Sequence, residues 1–305
     1  MELDYFVVDV FAETALGGNP LAVVMNTAGL TTDRMQAIAR EFNLSETSFV
    51  ERRPAEVEEA EGVRVRIFTT LEELPFAGHP TLGTASVIRT HAPETVLGDT
   101  VKLALNVGVV PVRFGDAPSG VTGLFGEMTQ RDAEFGEELS ASEAAWLIGL
   151  SEGDLDPDLP PQIVSTGTAF VIVTLRSHEA LERVQVSPRE ATQWLRERGA
   201  RWFYILGPTG VTEPAWRARM QFEGGEDPAT GSAAGCAISY LVRRRAVASG
   251  ERILLRQGVE IGRPSDLYLS ARIEDTAATE ETIRVTDIRV AGSTVLVAKG
   301  RLFLP

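Results

Sequence analysis

The chain has 305 residues, 44% hydrophobic and 24% charged, which is the composition of a soluble globular protein with room for two domains of ordinary size. A formal net charge of −14 argues against nucleic acid as a partner, because phosphate binding gathers Lys and Arg on one face. The single cysteine, Cys236, excludes an intramolecular disulfide and any multi-cysteine metal site. The opening MELDYFVVDV carries acidic residues where a signal peptide would carry basic ones. Pro228 to Val242 is free of charge, but its 15 residues fall short of the roughly 20 a membrane span needs. The expected location is the cytoplasm, with no membrane partner.

In chain order, Leu3 to Phe11 is rich in β-branched and aromatic residues and predicts a strand. Thr31 to Phe42 places Met35, Ile38, Ala39 and Phe42 on one face of a helix. Strands are predicted again at Val63 to Thr69 and Val109 to Phe114, with a helix starting at Pro80 between them. The turn-rich GDAPSG, Gly115 to Gly120, is the expected domain boundary. Ser140, with Glu143 three residues on, predicts a capping box and a helix. Gly153 to Pro161 predicts a surface loop, and Ala169 to Leu175 a strand. Ser187-Pro188 predicts a helix start, with Gly199 as its stop. Trp202 to Leu206 and Leu267 to Ile273 predict strands on either side of a helix starting at Pro228. The helices at Pro80 and Pro228 are small or apolar on every side, hence buried on every side. The expected fold class is therefore α+β: two pseudo-symmetric domains, each a curved β-sheet or barrel around a central helix. The expected domains are 1–116 and 117–293.

The two central helices share a motif. His79-Pro80-Thr81-Leu82-Gly83-Thr84-Ala85 aligns with Asp227-Pro228-Ala229-Thr230-Gly231-Ser232-Ala233, matching Pro, Gly and Ala outright and a hydroxyl in kind. Offset by one residue, SETSFV (Ser45 to Val50) matches STGTAFV (Ser165 to Val171), with Glu46 opposite Gly167. A duplicated scaffold thus differs in its polar residues. The residue before Pro is pushed towards an extended conformation, so His79 and Asp227 are expected at the N-caps of the two helices. Gly83-Thr84 and Gly231-Ser232 are then expected in the first turns, where unpaired N–H groups and the helix dipole attract a carboxylate. Two such helix mouths facing each other would make an anion-binding cleft between the domains. Asp227 reads equally as a plain helix cap, and Thr84 and Ser232 as ordinary first-turn hydroxyls. His79, by its matched position opposite Asp227, favours a functional role. Glu46 reads either as a solvated strand residue or as a proton shuttle working near neutral pH.

Gly18-Asn19-Pro20-Leu21-Ala22-Val23-Val24, Ser45-Glu46-Thr47, ELPFAGHPTLGTA (Glu73 to Ala85), EDPATGSA (Glu226 to Ala233) and QGVEIGRPS (Gln257 to Ser265) together resemble the PhzF-like phenazine-biosynthesis isomerases. These belong to the diaminopimelate-epimerase-like superfamily. The resemblance implies two similar domains with the site between them, a return of the chain to the first domain near 294–304, and commonly a homodimer. It implies a cofactor-independent proton transfer on a small carboxylate-bearing substrate. Glu46 matches the family's general acid/base, while His79 and Asp227 match residues that line the cleft. Gly78, Gly231 and Ser232 match positions near the substrate carboxylate. For the phenazine enzyme the reaction is isomerisation of trans-2,3-dihydro-3-hydroxyanthranilate. RMQFEGGEDPATG departs from the family in lacking a Phe-x-Pro before its acidic motif, which bears on the substrate.

Other classes are weighed by the same residues. A two-thiol racemase needs a cysteine on each side of its substrate and is excluded by the lone Cys236. An epimerase using Glu46 and another acid stays open. A Ser/His/Asp hydrolase built on Ser232, His79 and Asp227 lacks the G-x-S-x-G elbow. A carboxylate-binding protein without activity would gain little from the negative charge of Glu46. His79, His91 and His178 show no metal-ligand spacing.

Overall fold

The computed structural model describes residues 1–93, 98–274 and 283–304. The chain divides into two compact units, Met1–Met128 with Ala291–Pro305, and Thr129–Val290.

The first unit contains β1 (Glu2–Val10), β2 (Asn19–Val24), α1 (Thr32–Phe42), β3 (Glu46–Glu51), α2 (Ala55–Glu61) and β4 (Val63–Phe68). It continues through β5 (Glu73–Leu74), α3 (Gly78–His91), β6 (Thr100–Leu105), β7 (Gly108–Phe114) and β8 (Leu124–Thr129). The Gly115–Gly120 turn lies between β7 and β8, which pair in antiparallel register from Val112↔Met128 to Phe114↔Gly126. The second unit contains β9 (Glu134–Glu138), α4 (Ala141–Leu147), β10 (Gln162–Ser165), β11 (Ala169–Thr174), α5 (His178–Glu182) and α6 (Pro188–Glu197). There follow β12 (Trp202–Pro208), β13 (Trp216–Arg219), β14 (Gln221–Phe222), β15 (Gly225–Glu226), α7 (Gly231–Arg243), β16 (Ile253–Gln257) and β17 (Ser265–Ile273). The last strand, β18 (Val285–Phe303), contributes its later residues to the first unit.

In the first unit the strands run β1-β2-β3-β4-β6-β7-β8-β18, and β18 pairs back onto β1, closing an eight-stranded barrel. Antiparallel pairing of β1 with β18 runs from Glu2↔Phe303 to Val10↔Thr294. Closure leaves no unpaired edge. Helix α3 touches β1, β2, β3, β6 and β7, and every residue from Gly78 to Ile88 is buried, so it runs inside the barrel. The absence of charge over these positions is thereby explained. A Cβ on Gly83 would lie 2.6 Å from Val10 and 2.7 Å from Leu21 side-chain carbons, so close approach of helix and wall requires glycine. Outside the barrel, α1 packs Met35, Ile38 and Ala39 onto Leu3, Val24, Phe49 and Phe68. Thr31 caps α1 by accepting a hydrogen bond from the Arg34 N–H at 3.3 Å. Thr31→Ala is expected to cost about 1 kcal/mol, read as a lower denaturant midpoint with an unchanged slope.

In the second unit the order is β18-β17-β16-β13-β12-β11-β10-β9. Helix α7 touches β17 near one end of that order and β10 and β11 near the other, so the sheet curves around it. The unit repeats the plan of the first, a curved sheet around a buried helix. Helices α4, α5 and α6 cover the outside of β11 and β12 through Leu147, Leu181, Leu195, Val173 and Phe203. Ser140 accepts from the Glu143 N–H at 3.4 Å, the forward half of the expected capping box. Ser187 precedes α6 with Pro188 at its first position, as expected. Among the described residues, no helix is long and apolar enough to cross a membrane.

The two central helices do not start at their prolines. Helix α3 begins at Gly78 with Ala77 as its N-cap, so His79 is the second helical residue instead of the cap. Pro80 is tolerated there because a first-turn residue needs no N–H partner, and Thr81 N–H makes the first helical bond, to Ala77 O at 3.2 Å. Thr84 accordingly lies in the second turn of α3, not the first. Helix α7 begins at Gly231 with Thr230 as its N-cap, which leaves Asp227 ahead of the helix. Thr230 N–H, the group that a capping Asp227 side chain would engage, donates instead to the Gln257 side-chain Oε1 at 3.1 Å.

Candidate active site

In the first unit, β3 opens with Glu46, paired in parallel register opposite Leu21 of β2. Helix α3 brings His79 to it: His79 Nε2 lies 3.6 Å from Glu46 Oε2. His79 is 4% exposed. On its other side, Asn19 Nδ2 lies 3.2 Å from His79 Nδ1. Burial pushes the His79 pKa down to about 3, against a backbone hydrogen bond with Pro20 that raises it. The imidazole is therefore neutral at physiological pH, and its contact with Glu46 is dipolar instead of an ion pair. Its Nε2, beside Glu46, has no hydrogen-bond partner among the described residues.

The depressed value has a consequence for stability. Between pH 6.5 and about 3 the unfolded chain binds a proton at His79 and the folded chain does not. This group's contribution is complete above pH 6.5 and declines as the pH falls towards 3, by about 1.4 kcal/mol per pH unit. Chemical denaturation of wild type across that window should show the slope, and His79→Asn should flatten it by close to one proton.

Gly78 and His79 N–H lie ahead of the first helical bond of α3, and Ala77 offers no side-chain cap. Thr84, fully buried more than a turn further along, is outside that group. Its hydroxyl has no hydrogen-bond partner and faces the packed interior.

In the second unit, the β14–β15 hairpin delivers Asp227. Glu226, directly before it, is held by Arg219 at 2.7 Å and 3.0 Å, and by Gln221 Nε2 at 3.1 Å. Asp227 N–H donates to Met220 O at 2.9 Å. Its Oδ2 accepts from the Thr230 hydroxyl at 2.7 Å. Gly231, Ser232 and Ala233 precede the first helical bond of α7, Ala234 N–H to Thr230 O at 2.9 Å. Thr230 makes no side-chain cap, so both central helices present first-turn N–H groups without a capping side chain. Cys236 sits inside α7, fully buried, and burial raises its thiol to about 11, leaving it a protonated packing residue.

Glu46 with His79, and Asp227 with Gly231 and Ser232, are thus brought together as two local groups. Asn19, Thr230, Gln257 and Tyr204 were not singled out by the sequence reading. Asn19, Thr230 and Gln257 fall inside the quoted motifs, which are the available signal; Tyr204 sits in an ordinary strand pattern that gives none.

The family model for phenazine biosynthesis-like proteins (PhzC-PhzF) matches residues 8–300. The chain belongs to the PhzC-PhzF family. It is 35% identical over 303 residues to the trans-2,3-dihydro-3-hydroxyanthranilate isomerase of Pseudomonas aeruginosa, covering 98% of this chain and 99% of that one. The crystal structure of a Bacillus anthracis phenazine biosynthesis protein of the PhzF family superposes with a TM-score of 0.86 at 26% identity, covering 100% of both chains. A hydroxyproline epimerase of Agrobacterium vitis matches with a TM-score of 0.63 at 11% identity over 99% of this chain and 92% of that one, a likeness of fold alone. The expected α+β, diaminopimelate-epimerase-like fold is the observed one, and the chain is an enzyme of the PhzF isomerase family.

Proposed function

We propose that this chain is a cofactor-independent isomerase in which Glu46 shuttles a proton on a small carboxylate substrate, with trans-2,3-dihydro-3-hydroxyanthranilate as the first candidate. The observation that carries the reading is the Glu46 carboxylate 3.6 Å from a buried, neutral His79, in a chain 35% identical to an isomerase of that substrate. Glu46 takes a proton from one ring carbon; the C–H electron pair enters the conjugated system, and the carboxylic acid returns a proton to a second carbon. No net oxidation occurs, so no redox group is required. A neutral His79 suits this role, because a charged imidazolium beside Glu46 would hold it as an ion pair and weaken it as a base. His79 in the first unit and Asp227 in the second are the assigned binding groups for polar atoms of the substrate. First-turn N–H groups, Gly78 in α3 and Gly231 and Ser232 in α7, are each suited to bind a carboxylate. A homodimer is the expected assembly.

The test incubates the enzyme with trans-2,3-dihydro-3-hydroxyanthranilate and follows the product by chromatography and ultraviolet absorbance. Conversion supports the assignment. Absence of conversion, with turnover of another cyclic amino acid from a panel, would reject this substrate; epimerisation of such an acid at one carbon would favour the epimerase reading.

A further inference from the structure

Gln257 sits at the end of β16 and is fully buried, as is Tyr204 in β12. The Gln257 amide makes four hydrogen bonds. Its Oε1 accepts from Thr230 N–H at 3.1 Å and from the Tyr204 hydroxyl at 2.9 Å. Its Nε2 donates to the Asp227 carbonyl at 2.7 Å and to Thr230 Oγ1 at 3.0 Å. The direction of every bond is fixed by chemistry. A backbone N–H only donates, so Oε1 must face Thr230 N and Nε2 must face the Asp227 carbonyl. Since Thr230 Oγ1 accepts from Gln257, its own proton goes to Asp227 Oδ2, at 2.7 Å. Burial, and then the negative charge of Asp227, raise the Tyr204 pKa well above its usual value, so the phenol stays a donor.

We propose that Tyr204, Gln257 and Thr230 form a positioning relay that holds the Asp227 carboxylate in a single orientation towards the substrate. This rests on the reading of Asp227 as a substrate-binding group. Two observations separate the relay from ordinary packing. Thr230 is the N-cap residue of α7, yet its hydroxyl is directed to Asp227 and makes no helix cap. The amide of Gln257 is also saturated on both sides, with two bonds accepted and two donated, all to this one loop and Tyr204. A fully connected buried network of this kind rigidifies the groups it joins. Asp227 is thereby fixed at its N–H by Met220, at its carbonyl by Gln257 and at Oδ2 by Thr230. Tyr204, Gln257 and Thr230 are positioning residues; only Asp227 faces the substrate.

The experiment compares Thr230→Val, Thr230→Ser, Tyr204→Phe and Asp227→Asn, and the double variant Thr230→Val/Asp227→Asn, in the full chain. Three-bond couplings from the Asp227 Cγ to its backbone nitrogen, by NMR, report the rotamer without substrate. Steady-state kinetics on trans-2,3-dihydro-3-hydroxyanthranilate report the consequence. The relay predicts one rotamer in wild type and Thr230→Ser, and averaged couplings in Thr230→Val. It predicts a kcat about 10–100-fold lower in Thr230→Val, a smaller loss in Tyr204→Phe, and recovery in Thr230→Ser. In the Asp227→Asn background Thr230→Val should add less than about threefold. Averaged couplings in wild type, unchanged couplings in Thr230→Val, or losses that multiply in the double variant would each overturn the relay. Should Thr230→Val fail to fold, Tyr204→Phe decides by the same couplings. Wild-type turnover in Asp227→Asn would remove the role given to Asp227, while the couplings still judge the relay.

Discussion

Glu46→Gln is expected to lower kcat for isomerisation by about 10²–10⁴-fold, the usual contribution of one general acid/base group. The amide keeps the size and the first position of β3 but cannot exchange a proton with carbon. Its KM should change little, because the groups assigned to substrate binding lie at His79, Asp227 and the helix mouths. The fold should persist as well, since Glu46 keeps its place opposite Leu21 in the β2–β3 ladder and lies at the start of its strand. Stopped-flow or steady-state rates, with circular dichroism as a folding control, measure the effect. Retention of near-wild-type kcat would remove Glu46 from the chemistry and move the search to another acid.

The largest loss of stability is expected at Gly258. Its φ is +77°, in the left-handed region that favours glycine. A Cβ there would lie 2.4 Å from the Arg263 carbonyl oxygen and 2.7 Å from that of Pro228. Both are backbone atoms, so neither can swing aside as a flexible side chain would. Arg263 N–H in turn donates to Gly258 O at 2.9 Å, which holds the opposing strand of the turn in place. Gly258→Ala is therefore expected to cost about 2–4 kcal/mol and lower the thermal midpoint by roughly 5–10 °C. Because Gly258 follows Gln257 and abuts Pro228, the folded fraction should also lose turnover. An unchanged midpoint in calorimetry would contradict this geometry.

Much of the fold was legible in short-range pattern. VRVRIF in β4 alternates, with its valines and Ile67 buried. TDRMQAIAREF in α1 repeats its apolar residues at helical spacing, and the charge-free stretches of α3 and α7 announced burial on all sides. The helix starts were not legible, and the reason is physical. A residue before proline is biased to extended backbone, yet His79 lies inside α3, with Pro80 in the first turn where no N–H partner is needed. Asp227 does not cap α7, and the Thr230 N–H that such a cap would engage goes instead to a glutamine 27 positions away. No local motif carries that information. The candidate site groups were legible as residue types in matched motifs and through family resemblance. The neutral state of His79 was not, since it depends on complete burial inside the barrel.

The central claim, that Glu46 moves the proton, is tested most directly by running the reaction in deuterium oxide. NMR of the product from wild type and from Glu46→Gln, on trans-2,3-dihydro-3-hydroxyanthranilate, reads both turnover and the fate of the hydrogen. The account predicts isomerisation by wild type, with any solvent deuterium confined to the carbon that gains a hydrogen. It predicts neither isomerisation nor exchange by Glu46→Gln. Isomerisation or exchange by Glu46→Gln within about tenfold of wild type would contradict it.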